Sequence, residues 1–332
     1  MNPIERFASF VPRRATMEGR RPGVNAGSGS RRPWLVLATL TALALAACAS
    51  PGLQSGVPSE DAEISPSITW GQPTNGAYDN VGTLVFYRGP FGPIDCSGTI
   101  IAPRVFLTAA HCVTGPLGDN IRTYVRFEDD ALSGLGGDED LETFWSTPFE
   151  DLEPWFDANW IKAEAVIAHP EYAFFADFPF TYDIGVVILS EPYYPATGFG
   201  EIPDLGFLEG LRGRDRQHFV AVGYGLQGTL PPFFMNEYVK YRGDVRLLEL
   251  NSRINGFGTQ SAKFSNNPGI GGGRCYADSG GPTFFQDTNL VVAVTSFGRA
   301  KNGHCIGNDF HFRTDVPAAQ TFLRDVLEAY GD

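Results

Sequence analysis

Between residues 68 and 332 the chain is broken into short runs of branched and aromatic residues separated by Gly and Pro. This rhythm restricts the fold more than any other feature. Runs at 81–88, 97–101, 104–108, 122–127, 163–168, 184–189, 219–222, 239–248 and 290–297 have the length and composition of strands. No helical period lies between them, which predicts an all-β protein with an antiparallel barrel or sandwich architecture. One helix is predicted near the end. Asp315 stands as its cap and Pro317 falls in its first turn, while Phe322, Leu323, Val326, Leu327 and Tyr330 form an apolar stripe suited to packing.

The first 47 residues do not share the rhythm. Seven Arg and two acids accompany an apolar run at 34–47, WLVLATLTALALAA. Fourteen residues span about 21 Å as a helix, short of the roughly 20 residues a bilayer crossing needs. A basic flank, a short apolar run and small residues are the composition of an export signal. Leu45-Ala46-Ala47-Cys48 resembles the lipobox of bacterial lipoproteins, which implies lipidation at Cys48 and attachment to a membrane. Ordinary cleavage at an A-x-A site, leaving a soluble secreted protein, is the alternative. Residues 48–67 are rich in Pro, Ser and Gly and read as a linker, so the folded domain is expected from Ile68.

Charge narrows the function classes. The whole chain carries 25 Lys and Arg against 38 Asp and Glu; without the first 47 residues, 18 bases face 36 acids. Such a surface cannot neutralise a phosphate backbone, so nucleic acid is not an expected partner. Eleven acids and no base lie between Glu128 and Asp157. A solvated loop is the preferred reading. A Ca²⁺ site, needing six to eight oxygen ligands, is the less favoured one, because the spacing fits no calcium motif.

Three segments carry chemistry. The first is Cys96-Ser97-Gly98-Thr99 through Leu107-Thr108-Ala109-Ala110-His111-Cys112. His111 beside a cysteine has the makings of a metal ligand, but no second His or Cys follows at ligand spacing, so no metal or other cofactor is expected. The second segment is Tyr182-Asp183-Ile184-Gly185, an acid leading into an apolar strand; the third is Cys275-Tyr276-Ala277-Asp278-Ser279-Gly280-Gly281-Pro282, a serine in a glycine-flanked turn. Singly, each reads as core histidine, strand-start carboxylate and surface turn. Together they supply a nucleophile, a base and an orienting acid, as attack by a hydroxyl requires.

These blocks, in the order His, Asp, Ser, resemble those of the chymotrypsin/trypsin family of serine endopeptidases. Further landmarks agree: Ala168-His169-Pro170 before the aspartate, Val222-Gly223-Tyr224-Gly225 opening the second half, and Thr295-Ser296-Phe297-Gly298 after the serine. The resemblance implies two six-stranded antiparallel barrels with the site between them and a closing C-terminal helix, over 68–332. It implies Ser279 as nucleophile, His111 as general base and Asp183 as orienter. It implies the N–H groups of Ala277 and Ser279 as an oxyanion hole, and Ser296 bonded near Asp183. Residues 296–298 are implied to pair with the substrate backbone. It also implies disulfides Cys96–Cys112 and Cys275–Cys305, although counting five cysteines leaves other pairings open.

Three departures qualify the resemblance. Ala277 stands where the family has Gly, which puts the shape of the oxyanion hole in question. In the family a released N-terminal amine pairs with the acid before the serine, here Asp278. Ile68 sits at a suitable distance, but Ser67 precedes it instead of Arg or Lys, so either another protease cuts there or Asp278 finds a different partner. At the base of the specificity pocket stands Gly273 instead of an acid, while Asp309 falls on the facing wall, free to attract a cationic side chain or to be neutralised by Arg274. The expected function is an exported serine endopeptidase acting on proteins or peptides. An esterase-like hydrolase with the same triad and a feebly active binding protein on the same scaffold are the alternatives.

Overall fold

The computed structural model describes residues 71–87, 93–115, 118–119, 122–135, 144, 147–174, 181–227, 237–250, 260–267, 271–298 and 305–332. The export signal at 1–47, Cys48, the linker at 48–67 and Ile68 lie outside the described residues. In chain order the strands are β1 (Gln72–Pro73), β2 (Val81–Tyr87), β3 (Ile94–Ala102) and β4 (Val105–Thr108), then the minimal hairpin β5 (Thr114–Gly115) and β6 (Gly118–Asp119). After β7 (Arg122–Arg126) come helix α1 (Phe149–Asn159), β8 (Ile161–Ala168) and β9 (Gly185–Leu189). The second half holds α2 (Phe207–Gly210), β10 (Phe219–Gly223), β11 (Tyr241–Val245), β12 (Leu247–Glu249), β13 (Ser261–Asn266), β14 (Pro282–Phe285), β15 (Val291–Gly298), β16 (Gly307–Arg313) and helix α3 (Pro317–Tyr330).

The first half is a closed antiparallel barrel in the order β2-β3-β4-β9-β8-β7. The second is a sheet ordered β1-β11-β10-β14-β15-β16-β13-β12. Its two ends meet along the chain. Only Arg246 separates β11 from β12, and that residue bonds to β13 through Ser265 N–H to its carbonyl (3.0 Å) and its own N–H to Ser265 Oγ (2.9 Å). One bent strand therefore serves both ends, so six chain segments wrap a second core and β1 is an added edge.

Strands at the seam are apolar on both faces, as strands buried on both sides must be. In β9, Val187 and Leu189 line the first barrel while Val186 and Ile188 join a cluster shared with the second. In β10, Phe219 and Ala221 fill the second barrel while Val220 and Val222 turn to the seam. Each of the Val, Leu, Ile and Phe side chains contributes about 1.5–3 kcal/mol through burial. Helix α3 closes the seam with Phe322, Leu323 and Val326, and Leu327 and Tyr330 pack beside them. The predicted stripe is correct, but Asp315 is not the cap. It accepts the Leu208 N–H (2.8 Å) and pairs with buried Arg313 (2.8 Å), and Val316 takes the cap position without a side-chain bond.

The acidic segment departs from the expected solvated loop. Part of it folds as α1, whose Phe149, Leu152 and Phe156 are buried against Tyr87, Tyr124, Phe144, Trp160, Tyr224 and Tyr238. Glu150, Asp151 and Asp157 face solvent, the first two in the opening turn, where negative charge suits the helix dipole. The residues at 136–143, with four of the acids, lie outside the described residues. Lys240, 1% exposed, anchors the start of the segment, donating to the carbonyls of Phe127 (2.8 Å) and Tyr78 (3.0 Å) and lying 3.4 Å from Asp129.

Candidate active site

His111 stands in a single 3-10 turn, Ala110–Cys112, directly after β4. The disulfide Cys96–Cys112 ties this turn to β3. Asp183 precedes β9, the neighbour of β4, so sheet pairing brings the two blocks side by side. Gly185 makes the approach close enough: a Cβ there would lie 3.2 Å from the Ala110 Cα and 2.8 Å from a Val113 methyl. Asp183 Oδ1 accepts the His111 backbone N–H (3.0 Å), and the ring Nδ1 lies 2.9 Å from Oδ2 and 3.1 Å from Oδ1. Ser296, from β15 of the second barrel, donates its hydroxyl to Oδ2 at 2.5 Å. Burial pushes the Asp183 carboxyl up. The facing His111, its ring and backbone N–H bonds and the Ser296 hydroxyl outweigh that and hold the carboxyl below its usual range.

The Ser279 turn is stitched to both barrels. Ser97 of β3 donates its N–H to the Ser279 carbonyl (2.8 Å) and its hydroxyl to the Ala277 carbonyl (3.0 Å), while Gly280 N–H reaches Thr295 O of β15 (2.8 Å). Ser97 is the residue the sequence reading passed over; its signal was its place in the Cys96-Ser97-Gly98 block. The Tyr276 carbonyl accepts the Leu226 N–H (2.8 Å). In a trans peptide the N–H of the next residue points the opposite way, so the Ala277 N–H is turned away from Leu226. Ala277 takes φ +72°, the left-handed region, despite its Cβ. Tyr182, next to Asp183, is also left-handed at φ +44° and stacks on His169 at 4.9 Å. Each such residue costs roughly 1–2 kcal/mol, strain of the kind that gathers beside working groups.

The expected pocket residues also converge. Asp309 pairs across the sheet with Gly298, and Phe297 stacks on Phe310 at 4.8 Å. Asp309 Oδ2 accepts the backbone N–H of Arg274 (2.8 Å), the neighbour of Gly273, and Oδ1 accepts from Asn266 Nδ2 (2.9 Å). The Arg274 guanidinium turns elsewhere, to the carbonyls of Val222 (2.7 Å) and Pro282. Burial raises Asp309 to about 7, and the Asn266 and Arg274 bonds offset it only in part. A second disulfide, Cys275–Cys305, borders this region. His111 lies within 4.8 Å of the Cys96 and Cys112 sulfurs, but both are consumed in their disulfide and offer no thiolate to a metal.

The family model described as Trypsin matches residues 71–323. Among solved structures, one titled "HL collagenase structure at 1.7A resolution" is similar, with 16% identity, a TM-score of 0.52, and coverage of 79% of this chain and 98% of that one. At that identity the likeness speaks for the fold.

Proposed function

The chain belongs to the trypsin family, and from that premise we propose that it is a serine endopeptidase working through Ser279, His111 and Asp183. The observation that carries this is the double contact of Asp183 with the His111 ring and backbone, at 2.9–3.1 Å, in a carboxyl held ionised. An ionised Asp183 accepts the Nδ1 proton of His111, which leaves Nε2 as the basic nitrogen of the ring. His111 takes the Ser279 proton as the hydroxyl attacks the peptide carbonyl, and returns it to the leaving amine. Water then releases the acyl group by the same route. The N–H groups of Ala277 and Ser279 hold the oxyanion; one such donor is worth about 2.7–4 kcal/mol in the transition state. Residues 296–298 pair with the substrate backbone, and Gly273 and Asp309 border the pocket for the side chain preceding the scissile bond. A fluorophosphonate probe tests the reading: oxidised protein labels at Ser279 and the Ser279→Ala variant does not. Absence of labelling in the wild type would leave the scaffold a binding protein.

Substrates are proteins or peptides, as for the family. We also propose that the first 47 residues direct export and that Cys48 carries a lipid, on the strength of the lipobox-like Leu45-Ala46-Ala47-Cys48. Mass spectrometry of the mature N-terminus checks this, and an unmodified terminus at another residue removes the anchor.

A further inference from the structure

Asp278 poses an electrostatic problem that the proposed mechanism does not solve. It adjoins Ser279, is 0% exposed and accepts the N–H groups of Gly225 and Cys275, both at 2.9 Å. Two neutral donors do not cancel a buried charge, and an uncompensated carboxylate in a protein interior costs several kcal/mol. Among the described residues the cation facing it is Arg274, whose Nη1 lies 3.9 Å from Oδ1, with side-chain exposures of 2% and 0%.

We propose that Arg274 is the internal cation that holds Asp278, and through it the turn carrying Ala277 and Ser279, in working shape, so that no freshly cut N-terminus is needed for activity. Arg274 is thus a positioning residue, and its role rests on the reading of Ser279 as nucleophile. The guanidinium is fixed independently of Asp278, by the carbonyls of Val222 on β10 and Pro282 on β14. Its own backbone is fixed by Asp309 through the 2.8 Å bond and by Asn266, whose Nδ2 donates to the Arg274 carbonyl at 2.7 Å. Gly223 leaves room for the pair: a Cβ there would strike Asp278 Oδ1 and come within 2.9 Å of Arg274 Nη1. A fixed cation aimed at a fixed anion four residues along the chain is what a pre-assembled loop requires, and Ser67 before Ile68 offers no tryptic cleavage signal to assemble it later. The titratable groups facing the pair are Asp309 and His311 of β16 toward Arg274, and Asp95 of β3 toward Asp278.

The test compares fluorophosphonate labelling of the uncut full chain with that of the same chain carrying a cleavable sequence ending at position 67 and cut there. The two are expected to label at equal rates. Labelling of the cut form alone overturns the proposal and leaves the protease reading standing. If neither form labels, both readings fall. Arg274→Met is expected to slow labelling about 100-fold, the scale of a lost oxyanion donor. A wild-type rate in a folded Arg274→Met variant also overturns the proposal. Arg274→Lys keeps the charge and covers the case in which Arg274→Met fails to fold. It is expected to label near the wild-type rate at neutral pH and to lose activity at a lower alkaline pH than the wild type, because a buried ammonium gives up its proton sooner than a guanidinium. An alkaline limb that does not move overturns the assignment.

Discussion

The carboxylates on the two sides of Ser279 are equally buried yet behave oppositely. Asp183, 5% exposed at the seam, receives two N–H bonds and a hydroxyl and faces His111, and is held below the usual carboxylate range. Asp309, also 5% exposed, receives two neutral donors and shares one arginine with Asp278; its proton is held up to about 7. Burial is common to both, so the count of donors and of charge per carboxylate decides the sign. The first site keeps its carboxylate ionised against the His111 ring. The second stores a proton near neutrality.

The sharpest way to break the contrast is Asp183→Asn. An amide offers its N–H₂ to the ring, stabilises the wrong tautomer and is expected to lower kcat by about 10⁴-fold, as in the serine-protease template. Peptide hydrolysis by variant protein shown to be folded at the assay temperature checks this, and a loss below about tenfold would mean His111 is oriented by other contacts. Next comes Asp309→Asn. Because the folded-state value is raised, the folded protein binds a proton that the unfolded chain has released. Stability therefore falls as pH rises from about 4 to the folded value near 7, by up to about 1.4 kcal/mol per pH unit, and levels off above. Asp183 contributes the opposite slope, stability lost as pH falls through its depressed value. Thermal unfolding from pH 4 to 8 should show a shallower decline in Asp309→Asn, and an unchanged slope would mean that Asp309 is ionised throughout. The smallest effect is expected from Ala277→Gly. It relieves left-handed strain of about 1 kcal/mol at most, after the entropy glycine loses on folding, and leaves labelling no slower than in the wild type. Slower labelling would show that the Cβ itself helps fix the turn.

How far the sequence discloses this contrast differs between the two sides. His111, Asp183 and Ser279 sit in contiguous blocks whose neighbours, Cys112, Gly185 and Gly280, are needed by the same local geometry, so each block carries its own context. Fold class and the two disulfides were legible for that reason. The Asp309 side was only half legible, because its outcome depends on where a guanidinium points: Arg274 gives Asp309 its backbone and Asp278 its charge, a split no spacing encodes. Strands β13 and β16 were missed because polar residues such as Lys263, Asn308 and Asp309 interrupt them, and β14 because it is only four residues long and opens with Pro282. Helix α1 was hidden by acids and by Pro154, although Phe149, Leu152 and Phe156 keep helical spacing.

The stitching of the Ser279 turn sets a timetable for the chain. Its holding groups come from both ends of the fold: Ser97 from an early strand, Thr295 from one that follows Ser279. Synthesis runs from the N-terminus, and the early barrel can close before the later one exists. A chain made only as far as β9 therefore carries His111 and Asp183 but neither the Ser279 turn nor Ser296, whose hydroxyl bonds Asp183. The joint arrangement of His111, Asp183 and Ser279 comes together only once β15, which supplies both Thr295 and Ser296, has been made.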